Sequence, residues 1–454
     1  MNFWRNFFSS VLTFIFAVTV HAGQIARFDG LPVDGEINLF SVQGSNTIGA
    51  ELAPNLVKAW LQEKGAEKIE VQNSGIDNEV EVSGFYPATR TRVMVKIAAH
   101  GSGTGFKGLA AGSADIAAAS RPIKDKEFNL LKPLANMRSP GSEHIIGIDG
   151  LAIIVHPDNP VSDLSVEEIA EIFSGGYSDW SEVGGKPGPI HVYARDDKSG
   201  TWDSFSGMVL GERNLIAGAE RFESNAELSD RVAADTAGIG FVGLSSVRSA
   251  RLLSVSDGSA KSLLPNKLTV ATEDYALARR LFMYTDDEPA NDYVKEFIDF
   301  SLQDAGQKIV ADTGFISQEL KAVIPEFYDE LPEDFRQLTS DAKRLTINFR
   351  FQEGSAKLDN KALKDLERLA DFLHANGSAE VVLIGFGDKK KTEKRSQLLS
   401  KLRAMAVRRE LVRYGIYPKN SVGYGENLPV ASVNGMEGRN KNRRVEVWVR
   451  KAGA

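Results

Sequence analysis

The segment Arg195-Asp-Asp-Lys-Ser-Gly-Thr201 says more about the fold of this 454-residue chain than any other stretch. It stands where a strand pattern gives way to a helical one, as do Gly44-Ser-Asn-Thr-Ile48 and Gly101-Ser-Gly-Thr-Gly105. Glycine admits close backbone approach, and the first N–H groups of a helix have no partner within it. One such loop alone would be explained as a helix cap. Three of them, together with the Arg195 guanidinium, predict an anion-binding site.

The surrounding sequence, residues 35–325, alternates short β-branched runs with helical patterns, which predicts an α/β fold on a parallel sheet. The run Leu-Ala-Ile-Ile-Val-His at residues 151–156 is one such strand, and residues 166–173 form the helix after it. Ser165 and Glu168 have the spacing of a capping box at the start of that helix.

Two more segments, Ala114-Asp-Ile-Ala-Ala-Ala-Ser-Arg-Pro122 and Gly238-Ile-Gly-Phe-Val242, complete a pattern of five. In order and rough spacing these segments resemble the periplasmic phosphate-binding proteins of ABC transporters, over about residues 36–325. The resemblance implies a two-lobed periplasmic-binding-protein-like domain (type II), with a two-strand hinge and a dehydrated phosphate held in the cleft between the lobes. It also implies which residues contact the anion: Thr47, Ile48, Ser102, Ser120, Arg195, Ser199, Gly200 and Thr201.

Ser120 is a departure from that family, in which an aspartate at this position accepts the proton of hydrogen phosphate. Asp115, Asp196 or Asp197 are alternative acceptors, because a buried carboxylate gains a hydrogen bond from a protonated oxyanion that sulfate does not offer. Arg121 offers the opposite alternative, an added charge that favours a fully ionised anion. Both readings stay open at this point.

The segment from Glu79 to Ile97 alternates apolar and polar residues around Gly84 and Pro87. This pattern predicts an extra hairpin, to which the sequence assigns no role.

A second domain is predicted from the strand and helix patterns near the C-terminus. Strands are expected at residues 345–351, 381–384 and 444–449, and helices at about 363–373 and 395–414. This order of elements predicts a small α+β domain with its helices on one side of a mixed sheet.

Four motifs connect this second domain to a known family: Gly385-Phe-Gly-Asp388, Leu399-Ser-Lys-Leu-Arg-Ala404, Gly423-Tyr-Gly-Glu426 and Gly438-Arg-Asn-Lys-Asn-Arg-Arg-Val-Glu446. They resemble the OmpA-like C-terminal domains, over about residues 344–451. The resemblance implies peptidoglycan binding, in which Asp388 takes the ammonium of diaminopimelate and Arg403 its carboxylate.

Three positions around that pair depart from the family: Phe386-Gly387, the lysines of residues 389–391, and Ser396. The lysines offer an alternative in which the domain attracts anionic wall components nonspecifically and with strong salt dependence.

The charge of the chain changes sign between the two predicted domains. Residues 345–454 hold 22 Lys and Arg against 12 Asp and Glu, a net of +10, whereas residues 23–344 hold 31 against 49, a net of −18. The junction, residues 324–335, combines two prolines with an acidic run, and residues 326–343 are predicted to be a linker. The first domain is then 23–325 and the second 344–454.

The N-terminal residues 1–22 have the features of a cleaved signal peptide: a basic Arg5, an apolar run at 11–20, and Val20-His21-Ala22 at the cleavage position. Export to a periplasm follows from this interpretation.

Several function classes are disfavoured by composition and spacing. The chain has no cysteine, and its six histidines have no metal-ligand spacing, so neither a metal site nor a cofactor is predicted. The formal charge of −7 argues against bulk binding of nucleic acid. No nucleophile elbow or Ser/His constellation suggests an enzyme.

The sequence therefore predicts an exported binding protein for phosphate or a similar tetrahedral oxyanion, tethered non-covalently to peptidoglycan at the cell wall and outer membrane. An ABC transporter permease is a further expected partner, and a sensor role is a variant of the same prediction. The alternative is a structural or adhesive envelope protein whose first domain senses a ligand or no longer binds one.

Overall fold

The computed structural model describes residues 27–28, 30–197, 199–326, 328–351, 357–377, 379–390, 392–433 and 436–451. The predicted signal peptide, residues 1–22, lies outside these described residues. Within them, no helix combines the length and apolar character needed to cross a bilayer.

The first domain contains thirteen described strands and nine helices. Its strands are β1 (Glu36–Gly44), β2 (Glu67–Asn73), β3 (Glu79–Tyr86), β4 (Thr91–Ala98), β5 (Ile116–Ala119), β6 (Glu143–Val155), β7 (Asp163–Ser165), β8 (His191–Arg195), β9 (Glu220–Phe222), β10 (Gly238–Gly243), β11 (Arg251–Leu252), β12 (Ser254–Ser256) and β13 (Ala278–Tyr284). Its helices are α1 (Ala53–Glu63), α2 (Ser102–Ala111), α3 (Asp125–Leu131), α4 (Val166–Ser174), α5 (Gly200–Phe205), α6 (Asn225–Ala234), α7 (Lys267–Ala271), α8 (Asp292–Leu302) and α9 (Asp304–Asp312). Shorter helical turns lie at Ile48–Leu52, Trp180–Val183, Ser206–Leu210 and Leu244–Ser246.

The main sheet has the strand order β2-β3-β4-β1-β5-β13-β6-β10-β8-β9. β1 is parallel to β4 and β5, and β8 is parallel to β9 and β10, but β6 and β13 run antiparallel to their neighbours. The β2–β3 and β3–β4 pairs are antiparallel as well. The sheet is therefore mixed, and the prediction of a parallel sheet was wrong for the two central strands and for the β2–β3–β4 edge. In the central strands the reason is that β6 passes between lobes: residues 143–150 pair with β13, whereas residues 151–155 pair with β10.

The largest hydrophobic cores of the two lobes are separate from each other, which confirms the two-lobed α/β architecture. One core surrounds Trp60 of α1 and includes Phe40 and Phe297, and the other surrounds Phe173 of α4 and includes Phe241. All of these aromatic side chains are fully buried. Each lobe thus has a buried apolar core of its own.

Two local structures predicted from the sequence, a helix capping box and a hairpin, are present in the first domain. Ser165 Oγ accepts the backbone N–H of Glu168 at 3.2 Å, and the Glu168 carboxylate accepts the N–H of Ser165 at 2.7 Å, which confirms the capping box at the start of α4. The predicted hairpin forms from β3 and β4. Because β4 also pairs with β1 and leads into the loop at Gly101, the hairpin positions one of the three glycine-containing loops.

The second domain has a five-stranded sheet in the order β14-β15-β18-β16-β17. Its strands are β14 (Ala322–Val323), β15 (Lys343–Arg350), β16 (Ala379–Gly385), β17 (Asn420–Gly423) and β18 (Arg444–Lys451), and its helices are α10 (Glu333–Leu338), α11 (Asn360–Ala375), α12 (Glu393–Arg413) and α13 (Met436–Asn442). β16 and β17 are parallel and the other pairs antiparallel. α11 and α12 bury the apolar side chains of one sheet face, which confirms a small mixed α+β domain.

The segment predicted as a linker packs against the second domain. It contains a helical turn at Tyr328–Glu330 and helix α10, whose Phe335 is buried against Phe386 and Trp448 on the other face of the sheet. β14, which precedes this segment, already pairs with β15.

The domains meet through buried charged groups on β15. Arg344 Nη2 lies 2.6 Å from Asp274 Oδ2, and the Asn348 amide donates to Asp274 Oδ1 at 2.9 Å. Arg350 donates to the carbonyl of Thr272 at 2.8 Å. Burial alone would raise the pKa of Asp274, but the facing arginines, first among them Arg344, lower it below its usual range. The opposite net charges of the two domains thus meet as buried ion pairs.

Candidate functional site: a cleft between two lobes

The loops that follow β1, β4 and β5 lie together at one edge of the first lobe. Because these strands are parallel, their carboxyl ends share that edge. Hydrogen bonds join the loops directly: the N–H of Gly101 donates to the Gly44 carbonyl, and that of Ser45 to the Ala118 carbonyl, both at 2.8 Å. The predicted segments at residues 44–48, 101–105 and 114–122 therefore form one continuous surface.

Ser102 and Ser120 are adjacent on that surface. The Ser120 N–H donates to Ser102 Oγ at 3.2 Å, and the two hydroxyl oxygens are 3.5 Å apart. Ser102 is the first residue of α2, so its hydroxyl stands at the positive end of the helix dipole. Ile48 is wholly buried in the core of the first lobe, so its side chain does not face the cleft.

The third loop comes from the second lobe and carries Arg195 at the end of β8. Arg195 Nε donates to the Phe222 carbonyl at 3.1 Å, and Nη2 to the Glu223 carbonyl at 2.5 Å. Burial lowers the pKa of this guanidinium, and the charges of Asp196 and of Glu51 in the opposite lobe counteract that effect. The guanidinium is therefore held rigidly near the junction of the lobes.

Ser199 is the N-cap residue of helix α5, so its side chain has the ordinary structural role of a helix cap. Its hydroxyl accepts the N–H groups of Thr201 at 3.1 Å and Trp202 at 3.3 Å. Thr201 is half-buried in the first turn of the same helix.

The two lobes touch at Thr47 and Gly200. Thr47 Oγ1 donates to the Gly200 carbonyl at 2.9 Å, across 153 residues of sequence. A Cβ atom at position 200 would stand 2.3 Å from both the N and the Cα of Thr47. Only glycine permits this approach, so the structure represents a closed arrangement of the lobes.

Two residues at this junction were missed from the sequence: Arg279 of β13 and Asp149 of β6. Arg279 Nη2 donates to Thr47 Oγ1 at 2.6 Å and Nε to Asp149 Oδ2 at 3.2 Å. Both side chains are largely buried, and burial is the main influence lowering the pKa of Arg279. A charged residue inside each of two strongly apolar strands is the signal that could have identified them.

The alternative proton acceptors occupy different places. Asp115 precedes β5 and therefore lies at the end of that strand remote from the loops. Asp197 pairs with Arg221 at 2.5 Å and is largely exposed. Asp196 lies 3.6 Å from Arg195 Nη2, which makes it the nearest of the three to the predicted anion site.

Arg121 was the residue expected to add positive charge and to favour a fully ionised anion. A neighbouring carboxylate compensates its charge. Its guanidinium makes two hydrogen bonds to the Glu127 carboxylate, at 2.7 and 2.8 Å. In the ranges that the structure describes, no group of three or more His, Asp or Glu side chains is arranged to hold a metal ion. The donors that the cleft offers to an anion are N–H groups, hydroxyls and guanidinium.

In the second domain, Asp388 follows β16 and is nearly fully buried. Arg443 donates to both of its oxygens, at 3.0 and 3.1 Å, and Lys390 Nζ lies 2.7 Å away. Burial by itself raises the pKa of Asp388, but the hydrogen bonds from Arg443 and Lys390 outweigh it and lower that pKa well below its usual range. This carboxylate is therefore ionised at all physiological pH values.

Arg403, on α12, lies beside Asp388 without bonding to it. Its Nη1 donates to the Phe386 carbonyl at 3.2 Å, and burial lowers the pKa of its guanidinium. Arg443, which the sequence reading did not single out, is the direct partner of Asp388, although it lies within the quoted motif of residues 438–446. Ser396, at one of the departing positions, donates to Glu426 at 3.1 Å.

Two α/β lobes that meet at helix starts and an arginine define a two-lobed protein of the ligand-binding class, here joined to a small α+β domain. Residues 70–305 match the PBP superfamily domain, and residues 350–443 match the OmpA family. The chain belongs to the PBP superfamily, with a PstS-like first domain and an OmpA-family second domain.

Relatives cover most of the first domain. Phosphate-binding protein PstS of Staphylococcus saprophyticus is 33% identical over 237 residues, which are 50% of this chain and 72% of that protein. Protein SphX of Synechococcus elongatus is 30% identical over 281 residues, 58% of this chain and 81% of that protein. The crystal structure of a possible phosphate binding protein from Planctomyces limnophilus is 25% identical and covers 63% of this chain and 93% of its own, with a TM-score of 0.50.

Proposed function

We propose that this chain is an exported receptor that binds inorganic phosphate, or a similar tetrahedral oxyanion, in the cleft of its first domain. The contact of Thr47 with Gly200 is the observation that carries the proposal, because it brings the helix starts of both lobes to one place. The names of PstS and of the Planctomyces protein support phosphate as the ligand.

Each residue in the proposed site has a distinct contribution. Hydroxyls of Ser102, Ser120, Ser199 and Thr201 donate to the oxyanion, and Arg195 supplies the positive charge. Thr47, Ile48 and Gly200 contribute their backbone N–H groups at the two helix starts, because the single hydroxyl proton of Thr47 is donated to the Gly200 carbonyl. Asp196 is the proposed acceptor for the proton of hydrogen phosphate, because it lies beside Arg195.

The proposed mechanism is closure of the lobes about β6 and β13, with no covalent step. An anion that touches both lobes binds the closed state more tightly than the open one, and this difference shifts the population toward closure. Release follows reopening, either to a transporter permease or as part of a sensing cycle.

The second domain is proposed to tether the receptor non-covalently to peptidoglycan in the periplasm, near the outer membrane. The buried Asp388 carboxylate receives the ammonium of diaminopimelate, and Arg403 receives its carboxylate. Residues 1–22 direct export under this proposal. The structural or adhesive envelope protein stays the second candidate, since wall binding does not require an occupied cleft.

Calorimetric titration of the phosphate-free mature protein with phosphate, and separately with sulfate, tests the receptor function. We expect tight phosphate binding that Arg195→Ala abolishes, whereas Arg213→Ala, whose side chain is exposed on the same lobe, retains it. A preference for sulfate would support the proposed site but show that its ligand is sulfate and not phosphate. Failure to bind either anion, in a folded protein that still pellets with peptidoglycan, would select the structural role instead.

A further inference from the structure

The outer face of helix α12 carries an apolar stripe that no other described part of the chain covers. Leu398, Leu402, Met405 and Val412 recur at helical spacing on one side, and their exposed fractions are 58%, 53%, 43% and 37%. These side chains extend along the helix for about 20 Å, at 1.5 Å per residue. Isolated exposed leucines are common on proteins, but an aligned row of apolar side chains marks an interaction surface.

Basic side chains border this stripe on both sides. Projected on a helical wheel, Lys394 and Lys401 lie along one border, and Arg395 and Arg413 along the other. Residues 393–413 contain seven Lys and Arg and two Glu, a net of +5. Arg409 lies within the stripe itself, one turn after Met405, and its side chain is largely exposed. The surface is therefore apolar at its centre over residues 398–405, and positive at its edges and toward its C-terminal end.

The stripe faces away from the first domain. α12 contacts its own sheet through the buried Ala404, Val407 and Leu411, on the same face as Ile347 of β15. The first domain contacts Arg344 on the other face of β15 and the start of α11 at Asn360, and neither contact covers the four stripe side chains. The outer side of α12 is therefore accessible while the domains stay docked.

We propose that this face of α12 docks on a bilayer that contains anionic phospholipid. Leucine and methionine side chains enter the boundary between headgroups and acyl chains, and the bordering lysines and arginines approach lipid phosphates. A second copy of the chain is the less suitable occupant, because it would place two helices of net +5 against each other. The proposal does not depend on the anion-binding cleft.

Wall binding and membrane docking use different sides of the same helix. Arg403 points inward, toward the Phe386 carbonyl and Asp388, whereas the stripe points outward. One domain can thus contact peptidoglycan and a membrane surface together, which is a geometry suited to the narrow space between the two.

Co-sedimentation of the full mature chain with vesicles tests the proposal. We expect binding to phosphatidylcholine vesicles that contain about 30% phosphatidylglycerol, little binding to pure phosphatidylcholine, and release at about 0.5 M salt. The double variant Leu398→Ser/Leu402→Ser is expected to weaken binding by about tenfold or more, because it removes the side chains that enter the bilayer. The variant Lys394→Glu/Lys401→Glu is expected to abolish the preference for anionic lipid.

Two control variants make the same substitutions, leucine to serine and lysine to glutamate, at exposed positions of the first domain. Leu130→Ser/Leu134→Ser removes two leucines of the first domain that are 52% and 42% exposed, and Lys126→Glu/Lys186→Glu reverses two exposed charges there. Both should bind vesicles as the unaltered protein does. Absence of vesicle binding by the folded protein, or equal loss in the controls, would overturn the proposal. Sedimentation velocity that reveals a dimer, lost in the Leu398 variant and insensitive to vesicles, would overturn it in favour of self-association.

Discussion

Arg279 and Arg280 are consecutive residues of β13 whose side chains reach opposite sides of the first domain. Arg279 donates to Thr47 at the junction of the lobes, at 2.6 Å. Arg280 lies 2.7 Å from Glu273 and 2.8 Å from Asp359, at the contact with the second domain. One strand therefore connects the candidate cleft with the domain interface, and the alternation of side chains along a strand is the physical reason.

This pair of arginines allows a matched test of the cleft. Arg279→Gln is expected to weaken phosphate binding by about tenfold or more, because it removes a charge-assisted hydrogen bond to Thr47, of about 1.5–3 kcal/mol. Arg280→Gln should leave the affinity within about twofold, since its side chain faces the other domain. Calorimetric titration measures both. The same loss in the two variants would show that Arg279 acts only through general stability.

Closure of the lobes depends on the absence of a side chain at position 200. Gly200→Ala places a Cβ 2.3 Å from the Thr47 backbone, so the closed state becomes sterically forbidden and phosphate binding should be lost. Gly207→Ala is the control, because no atom lies within 4 Å of the added Cβ. Small-angle scattering with and without phosphate should show compaction for the control alone. Compaction of Gly200→Ala would contradict closure through this contact.

The negative charge of Asp274 compensates the positive charges of several buried arginines at the domain interface. Asp274→Asn leaves the positive charge of Arg344 without its counter-charge, which should cost about 3–5 kcal/mol. Calorimetric unfolding is expected to show a lower transition temperature, or two separated transitions. Asp125→Asn, at an ion pair whose aspartate is 87% exposed, should change stability by less than about 1 kcal/mol. Equal effects of the two substitutions would refute the assigned role of Asp274.

The low pKa of Asp388 determines how wall binding should depend on pH. Because Arg443 and Lys390 keep this carboxylate ionised, binding to purified peptidoglycan should stay constant from about pH 8 to pH 5. Asp388→Asn should reduce pelleting by about tenfold or more. In Arg443→Met the pKa of the buried Asp388 rises, so binding should decline as the pH falls. A flat profile in that variant would argue against Asp388 as the charged ligand.

We expect the folding stability of the protein to decrease in acid because of His144, a buried residue near the second domain. Burial, assisted by the charge of Lys364, lowers its pKa to about 4. Between its ordinary pKa of about 6.5 and that value, the unfolded chain binds a proton that the folded one does not, so stability should fall by roughly 3 kcal/mol as the pH drops. The neighbouring Glu143, whose pKa burial raises, acts in the opposite direction. His144→Gln should therefore be less sensitive than the unaltered protein in urea unfolding at pH 7 and pH 4.5, and an unchanged difference would contradict this assignment.

Most of the local architecture could be predicted before the structure. The capping box of Ser165 and Glu168, the hairpin from β3 and β4, and the helix starts at Ser102 and Gly200 all depend on residues a few positions apart. The sheet was harder to predict, because a buried strand such as β6 has the same apolar pattern whether its neighbours are parallel or antiparallel.

The sequence by itself determined that there are two domains of opposite charge, which loops begin helices, and which family motifs they carry. Only the tertiary structure decided which groups face each other. Arg279 reaches Thr47 across 232 residues, Arg344 meets Asp274 across 70, and Arg443 holds Asp388 across 55. Propensity and capping act between near neighbours in the chain, whereas a buried charge is stabilised by whichever partner the packing of distant elements places beside it.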